Sequence, residues 1–275
     1  MKLERATTED LEELKRLWSI VFQDEPEFLE QFFTKRFFPE HIVVARKEGE
    51  IVSALHALPS TYLQDNREKK CSFIVGAATY ASQRKQGIMG QLLSYTKETT
   101  DHPITLFPAV RPFYVANGYI TTSSMEEYWI PQTIGTNEEK QEDQVKPDKQ
   151  TTLSSTEEKT ISVSTLDSIY RVATKLEGSL SRDELGWNFL MDGYETCSVQ
   201  DAYAFIKDGI AIEAMATSEV AAKELIALLQ GKQIEKLRVI PNSPFASLLK
   251  GPFVQISMGM STDESMRGVY IAEQY

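Results

Sequence analysis

The fold of this chain is decided by residues 79–93, which read Thr79-Tyr-Ala-Ser-Gln-Arg84-Lys-Gln-Gly87-Ile-Met-Gly90-Gln-Leu-Leu93. A run of β-branched and small residues precedes this stretch and an apolar-periodic segment follows it, so the pattern predicts a strand, a glycine loop and a helix. Backbone N–H groups that are free at the start of a helix, together with the helix dipole, form an anion site. Gly87 allows the backbone to approach a ligand closely, and Arg84 and Lys85 add cationic donors for phosphate. The stretch therefore predicts a loop that holds a pyrophosphate.

The spacing of the glycines distinguishes between kinds of phosphate-binding loop. A P-loop needs Gly-Lys-Ser or Gly-Lys-Thr, which the sequence lacks, and Gly87 and Gly90 do not fit the G-x-G-x-x-G of a dinucleotide-binding fold. The stretch resembles the R/Q-x-x-G-x-G/A loop with which GNAT acyltransferases grip the pyrophosphate of coenzyme A. Arg84, Gly87 and Ile88 match that loop, whereas Met89 stands where Gly or Ala is usual, a departure common in the enhanced-intracellular-survival (Eis-type) branch. The resemblance implies that the coenzyme contacts Arg84 and the backbone of Lys85, Gln86, Gly87, Ile88, Met89 and Gly90.

A second motif follows the first after one strand. A glycine loop by itself could also be an ordinary strand-to-helix turn. Downstream, however, the sequence has a strand at 104–107 and then Pro112-Phe113-Tyr114-Val-Ala-Asn-Gly118-Tyr119. This segment resembles the F-Y-x-x-x-G-[FY] segment of GNAT enzymes, a short helix that Gly118 ends in a left-handed conformation. The two motifs in this order imply a GNAT fold for residues 1–130, an α/β (α+β) architecture in which helices flank a mixed twisted sheet. Local patterns predict the matching order β-α-α-β-β-β-α-β-α-β, with a polar turn region at 60–70.

The resemblance also implies a reaction, in which an amine attacks the thioester of acetyl-CoA directly. Splaying of the strand at Ala77, Ala78 and Thr79 away from the strand at 104–107 would free backbone groups for the pantetheine arm and the thioester oxygen. Ala109 and Val110 would lie near the pantetheine.

Tyr114 is the predicted general acid, because a phenol with a pKa of about 10 is matched to a departing thiolate. Tyr119 is expected to be structural. The general base stays open between Glu25, Glu27 or Glu30 on the acceptor side, Glu126 or Glu127 on the late strand, a chain of water molecules, and the terminal carboxylate of Tyr275, which is the base in the Eis-type branch. The aromatic stripe of the first two helices (Trp18, Phe22, Phe28, Phe32, Phe33 and Phe37) is predicted to be mostly core, with an acceptor pocket as the alternative.

The composition narrows the class of protein and its compartment. The net charge of −11 argues against a nucleic-acid partner and is compatible with a cationic amine acceptor. No apolar run reaches the roughly 18 to 20 residues that a membrane span needs, and the N-terminus has no apolar signal segment. Cys71 and Cys197 are far apart in sequence and the three histidines are isolated, which predicts a cytoplasmic protein with reduced thiols and no metal site.

The second half is predicted to repeat the first. A strand at 210–217 and a helix at 220–229 come first in the repeat. Leu237-Arg-Val-Ile240-Pro241 then echoes residues 105–108, and residues 244–253 echo residues 112–119, at an offset of 132 to 133 positions. The repeat lacks the arginine-glycine loop, and Ala246 stands where Tyr114 does in the first copy. The predicted domains are a GNAT domain with a coenzyme site (1–132), a polar acidic linker (133–159) and a degenerate GNAT-like domain (160–275). Eis-type enzymes share such a second domain and usually add a sterol-carrier-like domain, for which this chain is short.

Three hypotheses about function come out of the sequence. The first is an N-acetyltransferase whose amine acceptor is not identified; its assembly into homo-oligomers, as in Eis-type enzymes, is equally open. The second is a non-catalytic acyl-CoA-binding or regulatory module, which would bind acetyl-CoA without turnover. The third is a structural interaction protein, against which the matching Arg84, Gly87 and Tyr114 argue.

Overall fold

The computed structural model describes residues 1–130 and 161–272, which form fourteen strands and seven helices. The strands are β1 (Lys2–Arg5), β2 (Ile42–Lys47), β3 (Glu50–Gln64), β4 (Arg67–Thr79), β5 (Ile104–Leu106), β6 (Ile120–Thr121), β7 (Ser124–Trp129), β8 (Ser179–Leu180), β9 (Glu195–Val199), β10 (Ala202–Lys207), β11 (Ile210–Ala216), β12 (Lys236–Val239), β13 (Phe253–Ser257) and β14 (Met260–Ser261). The helices are α1 (Leu11–Phe22), α2 (Pro26–Arg36), α3 (Ile88–Glu98), α4 (Arg111–Ala116), α5 (Val163–Ala173), α6 (Glu184–Gly193) and α7 (Glu219–Gly231). The linker predicted at 133–159 and the carboxylate of Tyr275 lie outside the described residues.

The element order predicted for the first half is confirmed from β1 through β6. The Asp10 carboxylate accepts from the Thr7 amide at 2.8 Å just before α1, and Pro26 occupies the first turn of α2, where its missing N–H costs nothing. Gly118 follows α4 with φ of +81°, the left-handed conformation expected for the residue that ends a helix.

The first sheet has the strand order β1-β2-β3-β4-β5-β14-β6, and β8 pairs with the outer half of β3. Only β4 and β5 pair in parallel within this sheet as described, and α3 forms the crossover between them. The carboxyl ends of two parallel neighbours meet at one edge of a sheet, which is where α/β proteins bind their ligands. That edge is the end of β4 at Thr79 and the end of β5 at Leu106.

Both faces of the central part of this sheet are buried. Alternate residues of a strand point to opposite faces, and β3 shows the consequence. Leu55 is buried in one core with Leu92 of α3. His56, the next residue, lies with its ring about edge-on to Trp18 of α1 and Phe33 of α2 on the other face. Helices α1 and α2 therefore cover one face and α3 covers the opposite face.

The aromatic stripe of α1 and α2 forms the core of its face. Trp18, Phe32 and Phe33 are buried and pack ring against ring, as predicted. Phe28 and Phe37 are half-buried and Phe22 is exposed, so the outer part of the stripe reaches the surface.

The polar turn region predicted at 60–70 is wrong. Strand β3 continues to Gln64 and β4 begins at Arg67, so only two residues, Asp65 and Asn66, form the turn. Both have positive φ (55° and 57°), as the tight turn of a β-hairpin requires. The segment reads as polar because one face of this hairpin is exposed, while Tyr62 on the other face is buried in a core with Leu180.

The second sheet has the strand order β13-β7-β12-β11-β10-β9. Its β11 and β12 are parallel and α7 is the crossover between them, so the strand, helix and strand predicted at 210–240 are confirmed. This β-α-β unit repeats the topology of β4, α3 and β5. Its core consists of small and aliphatic side chains of the strands packed against Leu225 and Leu229 of α7.

The chain divides into two compact units that alternate along the sequence. Among the described residues, the first comprises 1–125, 174–183 and 255–272, and the second comprises 126–130, 161–173 and 184–254. The consecutive division expected from the sequence differs from this one because β7 and β14 each belong to the sheet formed mainly by the other half of the chain. Strand β14 lies between β5 and β6 in the first sheet, whereas β7 lies between β12 and β13 in the second. The single strand predicted at 121–130 is accordingly two strands, β6 and β7, in different sheets.

Across the described parts of the chain, no helix is both long and apolar enough to cross a lipid bilayer.

Candidate active site

The predicted pyrophosphate loop connects β4 to α3. After Thr79 the chain makes one 3-10 turn (Ala81–Gln83) and reaches α3 at Ile88. The first backbone bond of the helix runs from the Gln91 amide to the Gly87 carbonyl, at 3.1 Å. In the described part of the chain, the amides of residues 85–90 therefore donate to no protein acceptor. Six consecutive free N–H groups at the positive end of a helix are the kind of donors that an anion needs.

The backbone of this loop is shaped for close approach. Gly87 has φ of +72°, and a Cβ built on it would meet no atom within 4 Å. Lys85 also has a positive φ of 62°, which turns the loop sharply before the helix. The space in front of Gly87 is open, so a ligand can lie directly against the backbone there.

The side chains of the loop divide into exposed cations and buried anchors. Arg84 and Lys85 are exposed, and the Arg84 Nε donates to the Thr79 carbonyl at 3.0 Å, which fixes the guanidinium beside the loop. Ile88 is buried and Met89 packs against the same core, so these two residues offer the ligand only their backbone amides. Gly90 lies close to the side chain of Asn117, where a Cβ would come within 3.0 Å of Oδ1.

Lys47 is a loop contact that the sequence did not reveal. Its Nζ donates to Gln83 Oε1 at 2.6 Å and to Gln86 Oε1 at 2.7 Å. Lys47 ends β2, more than 30 residues before the loop, and a lone lysine at a strand end gives no pattern from which this contact could be predicted.

The pairing between the parallel strands β4 and β5 stops before β4 ends. Their pairing runs from Ser72–Ile104 to Ile74–Leu106 and stops there, while β4 continues to Thr79. Beyond Ile74 the pairing of β4 with β3 shifts at a bulge, in which Gly76 has φ of +61°. The segment that contains Ala77, Ala78 and Thr79 thus has an edge without a strand partner on the β5 side, as the predicted splaying requires.

The residues after β5 lie at the same edge of the sheet. Ala109 and Val110 are exposed and connect β5 to α4, and the Val110 side chain is 59% exposed. The Val110 carbonyl accepts from the Phe113 amide at 3.1 Å and so begins α4. Because β4 and β5 run parallel, this connection and the amide-rich loop follow from neighbouring carboxyl ends.

Tyr114 and Tyr119 pack edge to face in one core, with ring centroids 5.7 Å apart, but their hydroxyl groups differ. The Tyr119 hydroxyl is fully enclosed and has no hydrogen-bond partner. The Tyr114 hydroxyl also bonds to no described protein atom, but it is not fully enclosed. Burial raises the pKa of both phenols, for Tyr119 with a further contribution from neighbouring Tyr114. Tyr114 is therefore a protonated phenol with an available Oη.

Comparison with known proteins agrees with this geometry. A family model described as an acetyltransferase (GNAT) domain matches residues 2–121. Residues 2–121 form a GNAT acetyltransferase domain. No curated protein matches the sequence.

Solved structures share the fold over both units. A conserved protein of unknown function from Enterococcus faecalis V583, named as a probable N-acyltransferase, is 17% identical with a TM-score of 0.67, covering 94% of this chain and 72% of that one. A GCN5-related N-acetyltransferase from Anabaena variabilis is 16% identical with a TM-score of 0.63, over 94% and 72% of the two chains. Eis1 from Mycobacterium abscessus is 13% identical with a TM-score of 0.64, over 95% and 73%. At these identities the likeness concerns the fold.

Two of the carboxylates considered as base of the GNAT domain are held by cations. Glu30 accepts from Lys15 Nζ at 2.7 Å, which lowers the pKa of the carboxyl. Burial of Glu127 opposes its ionisation, but the hydrogen bonds and charges of Arg238 and Lys236 outweigh this, and its pKa is lowered. Carboxylates with lowered pKa values are weaker proton acceptors.

The positions of the other candidate carboxylates do not identify any of them as the general base. Glu126 accepts from the Tyr128 hydroxyl at 2.7 Å. Glu25 and Glu27 are exposed at the start of α2. The geometry assigns the base to none of them, and the base stays open.

The helix of the second unit that corresponds to α3 begins differently from the GNAT loop. The N-cap residue of α7 is Ser218, whose Oγ accepts from the Ala221 amide at 3.2 Å. Thr217 and Ser218 stand in place of the glycine loop. The Ser218 side chain accepts from one of the amides that would otherwise be free at the start of the helix. An anion finds fewer free donors at α7 than at α3.

Proposed function

We propose that the GNAT domain transfers an acetyl group from acetyl-CoA to a primary amine. The observation that carries this proposal is the run of free amides at residues 85–90, at the carboxyl end of a strand that separates from its parallel neighbour. Neither feature is needed for stability, since free amides and an unpaired strand edge each leave hydrogen bonds unmade.

The residues present fit the coenzyme. A diphosphate needs several donors at close range, and the loop offers amides in front of an open Gly87. Arg84 and Lys85 add positive charge beside them. The unpaired edge of Ala77–Thr79 would hold the amide-containing pantetheine arm, with Ala109 and Val110 on its other side. Acetyl-CoA, when bound, supplies an acetyl group activated as a thioester.

Tyr114 is assigned as the general acid. Its pKa is raised by burial, so the phenol keeps its proton at Oη at neutral pH. We assign this proton to the leaving sulfur, because a phenol and a thiol have ordinary pKa values within about 2 units of each other. Tyr119 is assigned a packing role, because its hydroxyl is enclosed.

The acceptor is assigned only by class. Direct attack on a thioester requires a neutral amine, and the net charge of −11 favours the approach of amines that are cationic in solution. We place the reaction in the cytoplasm, where acetyl-CoA is available to a protein with two free cysteines.

The second half is proposed to be a GNAT-like domain that does not bind the coenzyme. Its β11-α7-β12 unit repeats the β4-α3-β5 topology, but the start of α7 is capped by Ser218. We infer that this half shapes or stabilises the enzyme, with the catalytic groups in the first half.

The proposal is tested by turnover. Purified protein is incubated with acetyl-CoA and a panel of polyamines, aminoglycosides, amino acids and lysine peptides, and thiol release is measured. We expect release with at least one amine and none with Gly87→Glu. Acetyl-CoA binding with no release for any amine would instead identify an acyl-CoA-binding module.

A further inference from the structure

Lys47 lies beside the pyrophosphate loop and contacts its two limbs, the first at Gln83 and the second at Gln86. Gln83 belongs to the 3-10 turn that enters the loop, and Gln86 stands directly before Gly87. The Lys47 ammonium donates to both side-chain oxygens, at 2.6 and 2.7 Å. Gln86 Nε2 donates in turn to the Ser82 carbonyl at 3.3 Å, so the contacts close a ring around the turn.

The described residues give this ammonium no counter-ion. No carboxylate among them lies within ion-pair distance of Lys47, and its two identified acceptors are neutral amides. Its side chain is half-buried at the end of β2, a position set by the pairing of Lys47 with Glu50 across the β2–β3 hairpin. An ammonium held between neutral acceptors keeps its full positive charge beside the loop.

We propose that Lys47 is a positioning residue for the coenzyme, and this inference rests on the proposed function. Lys47 holds the two limbs of the loop together so that the amides of residues 85–90 converge on one point, and it adds a third positive charge to those of Arg84 and Lys85. A preorganised loop loses less conformational entropy when a diphosphate binds.

The loop shows why such a tether is needed. Lys85 has a positive φ, a conformation that costs a non-glycine residue free energy, and the loop has few buried side chains before Ile88. Without Lys47 the two glutamines lose their common donor, and the loop has more conformations in which its amides diverge.

The test compares two variants that remove the same charge. Lys47→Met removes the tether, and Lys35→Met removes an exposed lysine of α2 and serves as control. Acetyl-CoA and its 3′-dephospho form are titrated into each protein by calorimetry. We expect Lys47→Met to weaken both ligands about tenfold or more, as for the loss of hydrogen bonds to a charged group. Lys35→Met should stay within twofold of the wild type.

Two further variants separate positioning from a general loss of fold. Lys47→Arg should retain most of the affinity, because a guanidinium can donate to both glutamines. Gln83→Leu should weaken binding, and its effect should be less than additive with that of Lys47→Met, because both changes break the same contact. Equal melting temperatures for these variants and the wild type would show that the fold is kept.

Three results would overturn the inference. The first is unchanged affinity in Lys47→Met, and the second is full additivity with Gln83→Leu. The third is a loss seen for acetyl-CoA but not for the 3′-dephospho form, which would place Lys47 on the 3′-phosphate. Wild-type protein that binds neither ligand would refute the proposed function itself, whereas binding that is lost in Gly87→Glu and kept in Lys47→Met refutes only the role of Lys47.

Discussion

His56 makes the first unit sensitive to acid, and its environment allows the size of the effect to be worked out. The imidazole is 1% exposed and its Nδ1 has no hydrogen-bond partner. Trp18, Phe32 and Phe33 surround it with ring centroids 5.4 to 5.8 Å away. These neighbours cannot stabilise a charge as water does, so desolvation lowers the pKa of His56 to about 3.

The sign of the pH dependence follows from this shift. The unfolded chain protonates His56 below a pH of about 6.5 and the folded chain does not, so stability that is present above pH 6.5 is lost as the pH falls toward 3. The loss is about 1.4 kcal/mol for each pH unit. Between pH 7 and pH 5 it amounts to about 2 kcal/mol.

The His56→Leu variant isolates this contribution. Leucine is apolar, is similar in size and does not titrate, so the other acid-sensitive groups act equally in both proteins. Urea unfolding followed by circular dichroism at pH 7 and pH 5 gives the two free energies of unfolding. We expect the variant to gain about 2 kcal/mol relative to the wild type on acidification. Parallel loss of stability in the two proteins would refute the reasoning, because the folded chain would then accept the proton.

Three further changes test the site and its frame. Tyr114→Phe should lower turnover by about 100-fold or more at unchanged acetyl-CoA affinity, whereas Tyr119→Phe should change turnover little; equal effects in steady-state kinetics would contradict the assignment of the acid. Gly76→Ala should destabilise by about 2 to 4 kcal/mol in chemical unfolding, because its Cβ would lie 2.0 Å from the Trp18 ring at a positive φ; Gly49→Ala, which has a positive φ and open space, should cost only about 1 kcal/mol. Ending the chain after Val254 should unfold the first unit, since the buried Met260, Met266 and Ile271 each contribute about 1.5 to 3 kcal/mol; a shortened protein with the native melting temperature would show that β14 is dispensable.

The sequence predicted the elements whose signals are local. The loop at 84–90 is recognisable because its chemistry lies in consecutive residues, and α4 is bounded by Pro112 and Gly118 within one short segment. The parallel pair β4 and β5 follows from the same short stretch, because a strand, a helix and a strand in sequence form a crossover.

The exchange of β7 and β14 between the sheets could not be predicted. Met260 pairs with Leu106 and with Thr121, more than a hundred residues away, and β14 itself is only two residues long. A two-residue strand has no periodicity, and its pairing partner depends on which strands the rest of the fold leaves unpaired. Three polar contacts from Arg111 to Thr121 and to the carbonyls of Ser257 and Met258 then hold the returning segment to α4.

The candidate site shows the same difference between local signals, which the sequence predicts, and contacts between distant residues, which it does not. The backbone amides and Tyr114 were predicted from motifs, whereas Lys47 acts on the loop from a neighbouring strand and was missed. The availability of the Tyr114 hydroxyl, compared with that of Tyr119, depends on packing and became visible only in three dimensions.

Calorimetric titration of acetyl-CoA into the wild type, Gly87→Glu and Gly49→Glu tests the central claim most directly. Both glycines have positive φ and open space at Cβ, so the two variants carry a similar backbone strain and the same added charge. The wild type and Gly49→Glu should bind with micromolar affinity, and Gly87→Glu should lose binding while melting at the same temperature as Gly49→Glu. No binding by the wild type, or equal affinity in both variants, would contradict a coenzyme site at the start of α3.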